Sequence, residues 1–328
     1  MTKQYLALQS TKNEKENLLS IVEREISDLP EGDILIKVEY SSLNYKDAMS
    51  AKGYPGVTKE YPHTPGIDAA GFIVESASQD FKEGDSVIVT GYDLGMNTSG
   101  GFAEYIRVPS SWIIPLPEGL SMKDSMILGT AGLTAGLSIN ALERHRGIQG
   151  LNSLITGSTG GVGSIATLLL SKLGANVTAV TGKEDKANFL KSLGANEILT
   201  RDDLFETVRK PLNKPLWDIA VDVAGGDMVP YILAALKPSG AVACSGLVAG
   251  TSFESSIFPF ILRGVSLLGI DSVEISLKAK EFIWKKFSSE WSLGSLESIS
   301  KEVSLSELSD EIDLILSGNQ TGRILVKI

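Results

Sequence analysis

Residues Leu154–Gly163 read LITGSTGGVG and continue as IATLLLSKLG. A short apolar run breaks into a turn holding four glycines, at 157, 160, 161 and 163, and resumes with apolar residues at helical spacing. This is a strand, a glycine turn and a helix. Glycine suits such a turn because a backbone without Cβ adopts φ > 0 and lies close to a pyrophosphate that a side chain would push away. The helix, beginning near Gly161, directs its free N–H groups and positive dipole end at that phosphate. A glycine-rich turn alone is weak evidence, so its flanks carry the decision.

Downstream, NVTAVTGK, a helix around Lys186 to Leu193, and ANEILTR follow in order, then strand-like WDIAVDVAGG, GAVACSGLV and GVSLLGIDSV. Strands alternating with helices imply right-handed crossovers and a parallel sheet. The tally of about six strands is that of a doubly wound Rossmann fold. Upstream, SMKDSMILGTAGLTAGLSINALERH is helical in spacing, with small residues at Gly129, Ala131, Gly132 and Ala135. Before about Pro117 the chain reads as short strands between turns, such as DILIKVEY and DSVIVTGY, and is mainly β. The tail carries an amphipathic helical stretch at Lys278 to Ser292 and ends in strand-like RILVKI, most easily placed back in the β-rich half. The expected layout is an α/β protein in which residues 1–122 and 272–328 form a discontinuous, mainly β domain and residues 123–271 the dinucleotide-binding domain.

Composition narrows the function classes. A chain of 328 residues suggests two domains. Hydrophobic content of 43% with 21% charged residues is that of a soluble globular protein, and no apolar run of membrane-spanning length stands out. The N-terminal stretch lacks a secretory pattern, so the expected location is cytoplasmic. A net charge of -10 without a basic stripe argues against a nucleic-acid partner. One cysteine, Cys244, and two histidines, His63 and His145, cannot assemble a His/Cys metal or catalytic site, and no metal is expected. Asp47, Asp68 and Glu104 remain as acidic groups of the kind that bind hard cations, although such groups are more often solvated or paired.

Cofactor contacts follow from the turn. Gly160, Gly161, Val162 and Gly163 form the pyrophosphate site, with Ser158 and Thr159 supplying hydroxyl or N–H groups; Ser158 replaces the first glycine of G-x-G-x-x-G. The second strand ends in Thr181, Gly182 and Lys183, where an acidic partner for the adenosine ribose is usual. Lys183 favours a 2′-phosphate and hence NADP, while Glu184 beside it favours NAD, and an exposed lysine also has an ordinary reading as a solvated charge. Leu247 and Ile270, at the ends of later strands, offer backbone groups to a nicotinamide carboxamide, with core packing the favoured reading of their side chains. Arg323 and Arg263 suit phosphate through their planar fork, or else form surface salt bridges.

NYKD (Asn44–Asp47), PGIDAAG (Pro65–Gly71), GTAGLTA (Gly129–Ala135), TGSTGGVG (Thr156–Gly163) and PFILRGVSLLGIDSV (Pro259–Val273) together resemble the medium-chain dehydrogenase/reductases, in the zinc-free quinone-oxidoreductase-like branch and its YhdH/YhfP group. The resemblance implies a GroES-like catalytic domain closed by the C-terminal tail, a Rossmann domain between, and NADPH-dependent reduction of an activated double bond in quinones, enones or acyl-CoA thioesters such as acryloyl-CoA. It places Thr134 on the nicotinamide side, where helix packing is the alternative. It also sets Asn44, Ile67 and about Thr130 at the positions of a zinc ligand set, which they do not make. Tyr45 leads as proton donor, since a phenol is protonated at neutral pH; a packing aromatic is the alternative. Asn44 suits orientation of a carbonyl or ribose hydroxyl, and Asp47 suits bracing of the loop. Lys46 faces solvent or an anionic substrate tail, and His63, between prolines, is a loop residue. The apolar strand GVSLLGIDSV predicts a homodimer. The competing readings are a cofactor-binding regulator without turnover and, further off, an alcohol dehydrogenase.

Overall fold

The computed structural model describes residues 4–207 and 210–328. The chain divides into two compact units, residues 1–130 with 272–328, and residues 131–271. The first unit opens with a hairpin of β1 (Gln4–Thr11) and β2 (Leu18–Glu25) and continues through β3 (Ile34–Leu43), α1 (Tyr45–Ala51), β4 (Asp68–Ser76), β5 (Ser86–Thr90), β6 (Tyr105–Val108) and β7 (Ile113–Pro115). Next is α2 (Met122–Arg146), which bends at Gly129, φ 52° and ψ -154°. A Cβ there would lie 2.6 Å from Asp68 Oδ2, and Thr130 donates its N–H and hydroxyl to that carboxylate, holding the start of α2 against β4.

The second unit runs β8 (Asn152–Ile155), α3 (Gly161–Lys172), β9 (Asn176–Thr181), α4 (Ala187–Ser192), β10 (Glu197–Thr200), α5 (Arg201–Thr207), β11 (Trp217–Asp222), α6 (Met228–Ala235), β12 (Leu236–Cys244), α7 (Phe258–Arg263) and β13 (Ser266–Gly269). Its strands form one parallel sheet in the order β10-β9-β8-β11-β12-β13. This is the doubly wound order, with β8 at the point where the strand sequence reverses. Central strands covered on both faces carry near-continuous apolar runs. Leu154, Ile155, Ile219, Val221 and Val242 are fully buried, each contributing about 1.5–3 kcal/mol. β13 is an edge, and its Leu267 is exposed.

The chain then returns to the first unit with α8 (Leu277–Phe287), β14 (Ser300–Ser304), α9 (Leu308–Leu316) and β15 (Arg323–Lys327). β15 pairs parallel to β14 and antiparallel to β3, completing the order β14-β15-β3-β4-β5-β7. Ser276 caps α8 by accepting from Ala279 N–H. The buried stripe of α8 is Lys280, Ile283, Trp284 and Phe287, a helical repeat in which lysine occupies a core position. Lys280 Nζ donates to Thr90 O (2.7 Å) and Val273 O (2.8 Å) and sits 3.3 Å from the centroid of the Tyr92 ring. The two carbonyls and the ring face replace water around the ammonium.

Contrary to the expectation from the sequence, α2 is long and apolar enough to cross a membrane by length and composition. Most of it is buried inside the protein, so it is a core helix.

Candidate active site

The glycine turn is pinned on both sides. Gly157 takes φ 59°. Ser158 donates its N–H to Val180 O (3.2 Å) and its hydroxyl to Ile155 O (2.7 Å), so its donors brace the turn against β9 and β8 instead of serving a ligand. Thr159 and Thr181 bring their hydroxyls within 3.4 Å of each other, linking the turn to the end of β9. A Cβ on Gly163 would lie 2.7 Å from Ser158 Cα and closer still to Gly157 O, so only glycine lets α3 start this near the strand end. Gly160 is the residue before α3, and no side chain caps the helix. Helix geometry leaves the N–H groups of Gly161, Val162 and Gly163 without intrahelical acceptors. That arrangement fits a pyrophosphate.

Beside the turn, Thr156 donates to Asp222 Oδ1 (2.5 Å) and accepts from Val223 N–H (3.1 Å). Asp222 is fully buried and also accepts from Ala224 N–H, Gly225 N–H and the Cys244 thiol. It ties together the ends of β8, β11 and β12, and sequence inspection did not single it out. Burial, and then the Asp222 charge and hydrogen bond, push the Cys244 thiol up from 9.0 to about 11. Thiolate is the reactive form, so labelling of Cys244 by a disulfide reagent is expected to run about a hundredfold slower in the native protein than in urea. Equal rates in the two states would show the opposite.

At the end of β9, Thr181 Oγ1 accepts from Lys183 N–H (3.0 Å). Gly182 and Glu184 are exposed and Lys183 is half-buried. Burial pushes the Lys183 ammonium down, Lys186 and Arg201 add to the effect, and Asp185 opposes it. Thr134 is buried in α2, and its carbonyl accepts from Ser138 Oγ (2.8 Å).

Three other residues expected at the cofactor stand differently in the fold. Leu247 lies past the end of β12 and is 50% exposed, so its side chain is not core; its carbonyl accepts from Gly250 N–H. Ile270 is half-buried, and its N–H donates to Cys244 O. Arg263 directs its guanidinium to the carbonyls of Ala234, Leu236 and Asn213, and neither a phosphate contact nor a surface salt bridge describes it.

In the first unit a buried polar network surrounds the start of α1. Asn44 donates through Nδ2 to Asp68 Oδ2 (2.7 Å) and Asp47 Oδ2 (3.1 Å), while its Oδ1 accepts from Arg323 Nη1 (3.4 Å). Its amide is thereby committed within the fold. Asp47 accepts from Asn44 N–H (2.8 Å) and Ile67 N–H (2.7 Å), bracing the loop. Burial and the neighbouring Asp68 charge push Asp47 up from 3.8 to about 7, against those hydrogen bonds. Asp68 accepts from Ser42 and Thr130 as well.

Arg323 is 2% exposed and donates to Ile127 O and Leu43 O, which overturns its surface salt-bridge reading. Its Nη2 has no hydrogen-bond partner among the described residues. Tyr45 opens α1, half-buried, with no hydrogen bond to its hydroxyl among the described residues; Lys46 is half-buried beside it. His63 is buried, its main chain pairs with Ser10, and burial pushes its imidazole down. Glu104 accepts from Leu6 N–H.

At the three positions compared with a zinc ligand set, Asn44 and Thr130 bond to Asp68, and Ile67 is buried. Among the described residues no group of three or more His, Cys, Asp or Glu side chains is arranged to hold a metal ion.

Comparison with known proteins matches residues 30–118 to the alcohol dehydrogenase GroES-like domain and residues 161–286 to the zinc-binding dehydrogenase family. YhfP of Bacillus subtilis, which carries the name of a quinone oxidoreductase, is 42% identical over 100% of both chains. Its crystal structure with NAD bound superposes with a TM-score of 0.96 over 100% of both chains. Acrylyl-CoA reductase AcuI of Ruegeria pomeroyi is 40% identical over 94% of this chain and 94% of that protein. The yhdH oxidoreductase of Salmonella enterica in complex with NADP superposes with a TM-score of 0.95 at 40% identity, covering 99% of this chain and 100% of that one.

Proposed function

Because this chain belongs to the medium-chain dehydrogenase/reductase superfamily, in the group of YhfP and AcuI, we propose that it is a zinc-independent, NADPH-dependent reductase of activated double bonds. The observation that carries the reading is the pinned turn, where Gly163 brings the uncapped first turn of α3 to the end of β8. Acryloyl-CoA or a related enoyl thioester is the physiological acceptor and a quinone the operational one. NAD is the second reading of the cofactor, favoured by the exposed Glu184.

The nicotinamide, when bound, supplies a hydride to the double bond. The N–H groups of Gly161, Val162 and Gly163 hold the pyrophosphate, and Lys183 takes the 2′-phosphate. Thr134 contributes to the nicotinamide side, and the main chain near Leu247 and Ile270 to the carboxamide. Arg323 takes no part in holding the phosphates in this reading, because its buried guanidinium is committed to the carbonyls of Ile127 and Leu43 and to Asn44. Tyr45 donates its hydroxyl proton toward the acceptor carbonyl as negative charge develops there. Asn44 and Asp47 position Tyr45 by fixing the start of α1. With Asn44, Ile67 and Thr130 at the compared positions, polarisation of the carbonyl falls to hydrogen-bond donors. We place the protein in the cytoplasm as a homodimer paired along the open edge of β13.

Steady oxidation of NADPH by acryloyl-CoA, crotonyl-CoA or a simple quinone in the presence of a chelator is the expected result. Tight NADPH binding with no turnover across that panel would support a non-catalytic binding protein instead. Tyr45→Phe is expected to lower kcat about a hundredfold with NADPH affinity retained; an unchanged kcat removes Tyr45 as the donor.

A further inference from the structure

We propose that Lys280 is a positioning residue for hydride transfer: its ammonium locks the Val273 carbonyl to the turn at Gly91 and Tyr92, and that turn is bonded onward to the loop that sets Tyr45. The assignment rests on the reductase reading above, in which Tyr45 is the proton donor and the main chain near Ile270 faces the carboxamide. A buried ammonium is costly unless its donors are met. Lys280 is fully buried, and its Nζ donates to Thr90 O at 2.7 Å and Val273 O at 2.8 Å. These carbonyls belong to segments far apart in the chain, the end of β5 and the residue three positions beyond Ile270. One cation ties them together.

Gly91 and Tyr92 are consecutive left-handed residues, with φ 73° and 52°. That backbone suits glycine and strains tyrosine, and a strained residue persists where its surroundings over-determine it. Tyr92 is held in this way. Its N–H donates to Val273 O at 3.2 Å and its hydroxyl to Ile275 O at 3.3 Å, while its ring stacks on Trp112 and lies under Lys280 Nζ. Gly91 permits the approach, since a Cβ there would lie 3.1 Å from Val273 Cα and 3.2 Å from Lys280 Nζ. From the turn, Gly91 N–H donates to Ile67 O (2.9 Å), Ile67 N–H to Asp47 Oδ1 (2.7 Å) and Asn44 N–H to Asp47 Oδ2 (2.8 Å). Asn44 immediately precedes Tyr45, and every link from Val273 to Tyr45 lies in the first unit. In the other direction only Asp271 and Ser272 separate the clamped Val273 from Ile270, whose N–H is bonded to Cys244 O. The clamp thus stands in the chain between the main chain assigned to the carboxamide and the loop that carries the donor. Misplacement of reacting groups by about 1 Å costs about a hundredfold in rate.

The test measures single-turnover hydride transfer from NADPH, and from NADPH deuterated at the transferred position, to whichever acceptor of the panel above the parent protein reduces fastest. The variants are Lys280→Met, Lys280→Arg, Tyr45→Phe and the Lys280→Met/Tyr45→Phe double variant. Lys280→Met is expected to slow the hydride step about ten- to a hundredfold, with a larger deuterium effect on kcat and with NADPH affinity within about threefold of the parent. Lys280→Arg keeps a cation with several donors and is expected to recover the rate to within about threefold. Because the two residues act along one bonded chain, the double variant is expected to lose no more than the slower single variant, and losses that multiply overturn the link to Tyr45. Parent-like hydride transfer in folded Lys280→Met overturns the proposal. Where thermal midpoints show that Lys280→Met does not fold, Tyr92→Leu, which removes the ring and leaves the ammonium, is judged by the same criteria. A parent protein without turnover on any acceptor overturns the reductase reading itself, and parent-like Tyr45→Phe removes the donor; either result takes the assignment with it.

Discussion

Gly163→Ala is expected to reduce NADPH affinity more than about a hundredfold and to lower stability by about 3 kcal/mol. The added Cβ meets main-chain atoms, Gly157 O and Ser158 Cα, instead of a movable side chain. The turn must therefore open, and Ser158 then loses its bonds to Val180 O and Ile155 O. Gly160→Ala is the informative companion. Its nearest neighbour would be Gly157 O at 3.4 Å, an ordinary contact, so the fold accepts it at a cost within about 1 kcal/mol. Cofactor titration with urea unfolding separates the two cases. A Gly163→Ala protein with parent-like binding and stability would refute the close approach of α3 to the strand end.

The second large effect concerns pH. The Asp47 carboxyl is pushed up on folding from 3.8 to about 7, chiefly by burial and then by Asp68. Between these values the folded chain holds a proton that the unfolded chain has released. The contribution is thus fully favourable below the unfolded pKa and is lost as pH rises through the folded one. From this group alone the stability falls by as much as about 1.4 kcal/mol per pH unit, or about 4 kcal/mol in all. Urea unfolding of the cofactor-free protein from about pH 4 to about pH 8 should show this decline. Asp47→Asn should flatten it at a lower overall stability, because an amide nitrogen in place of Oδ2 would face the Asn44 donors. A parent profile that rises over the same interval contradicts the assignment.

The parallel sheet was legible because β8, β9 and β11 carry apolar residues and alternate with helices, whereas the order of the strands came only with the fold. The buried charges were not. Lys280 and Arg323 have the composition of solvated residues, and only the fold reveals carbonyls and an aromatic ring in place of water around them. Leu247 misled for the opposite reason: its apolar character suggested core, but it follows the strand and enters a loop. Asn44 and Asp47 were legible as a motif, whereas their link to Asp68 joins residues far apart in the chain.

The pairing of β3 with β15 also orders events during synthesis. Leu43 and Arg323, joined by a hydrogen bond, are separated by 280 positions. At ribosomal speeds that separation is a delay of about 15–60 s. Throughout it β3 lacks its neighbour on that side, while the segment 131–271 emerges as one continuous piece. The nascent chain can therefore complete its second unit before its first. Until β15 arrives, the unfinished β3 edge is a place for a chaperone to bind or for two nascent chains to pair wrongly.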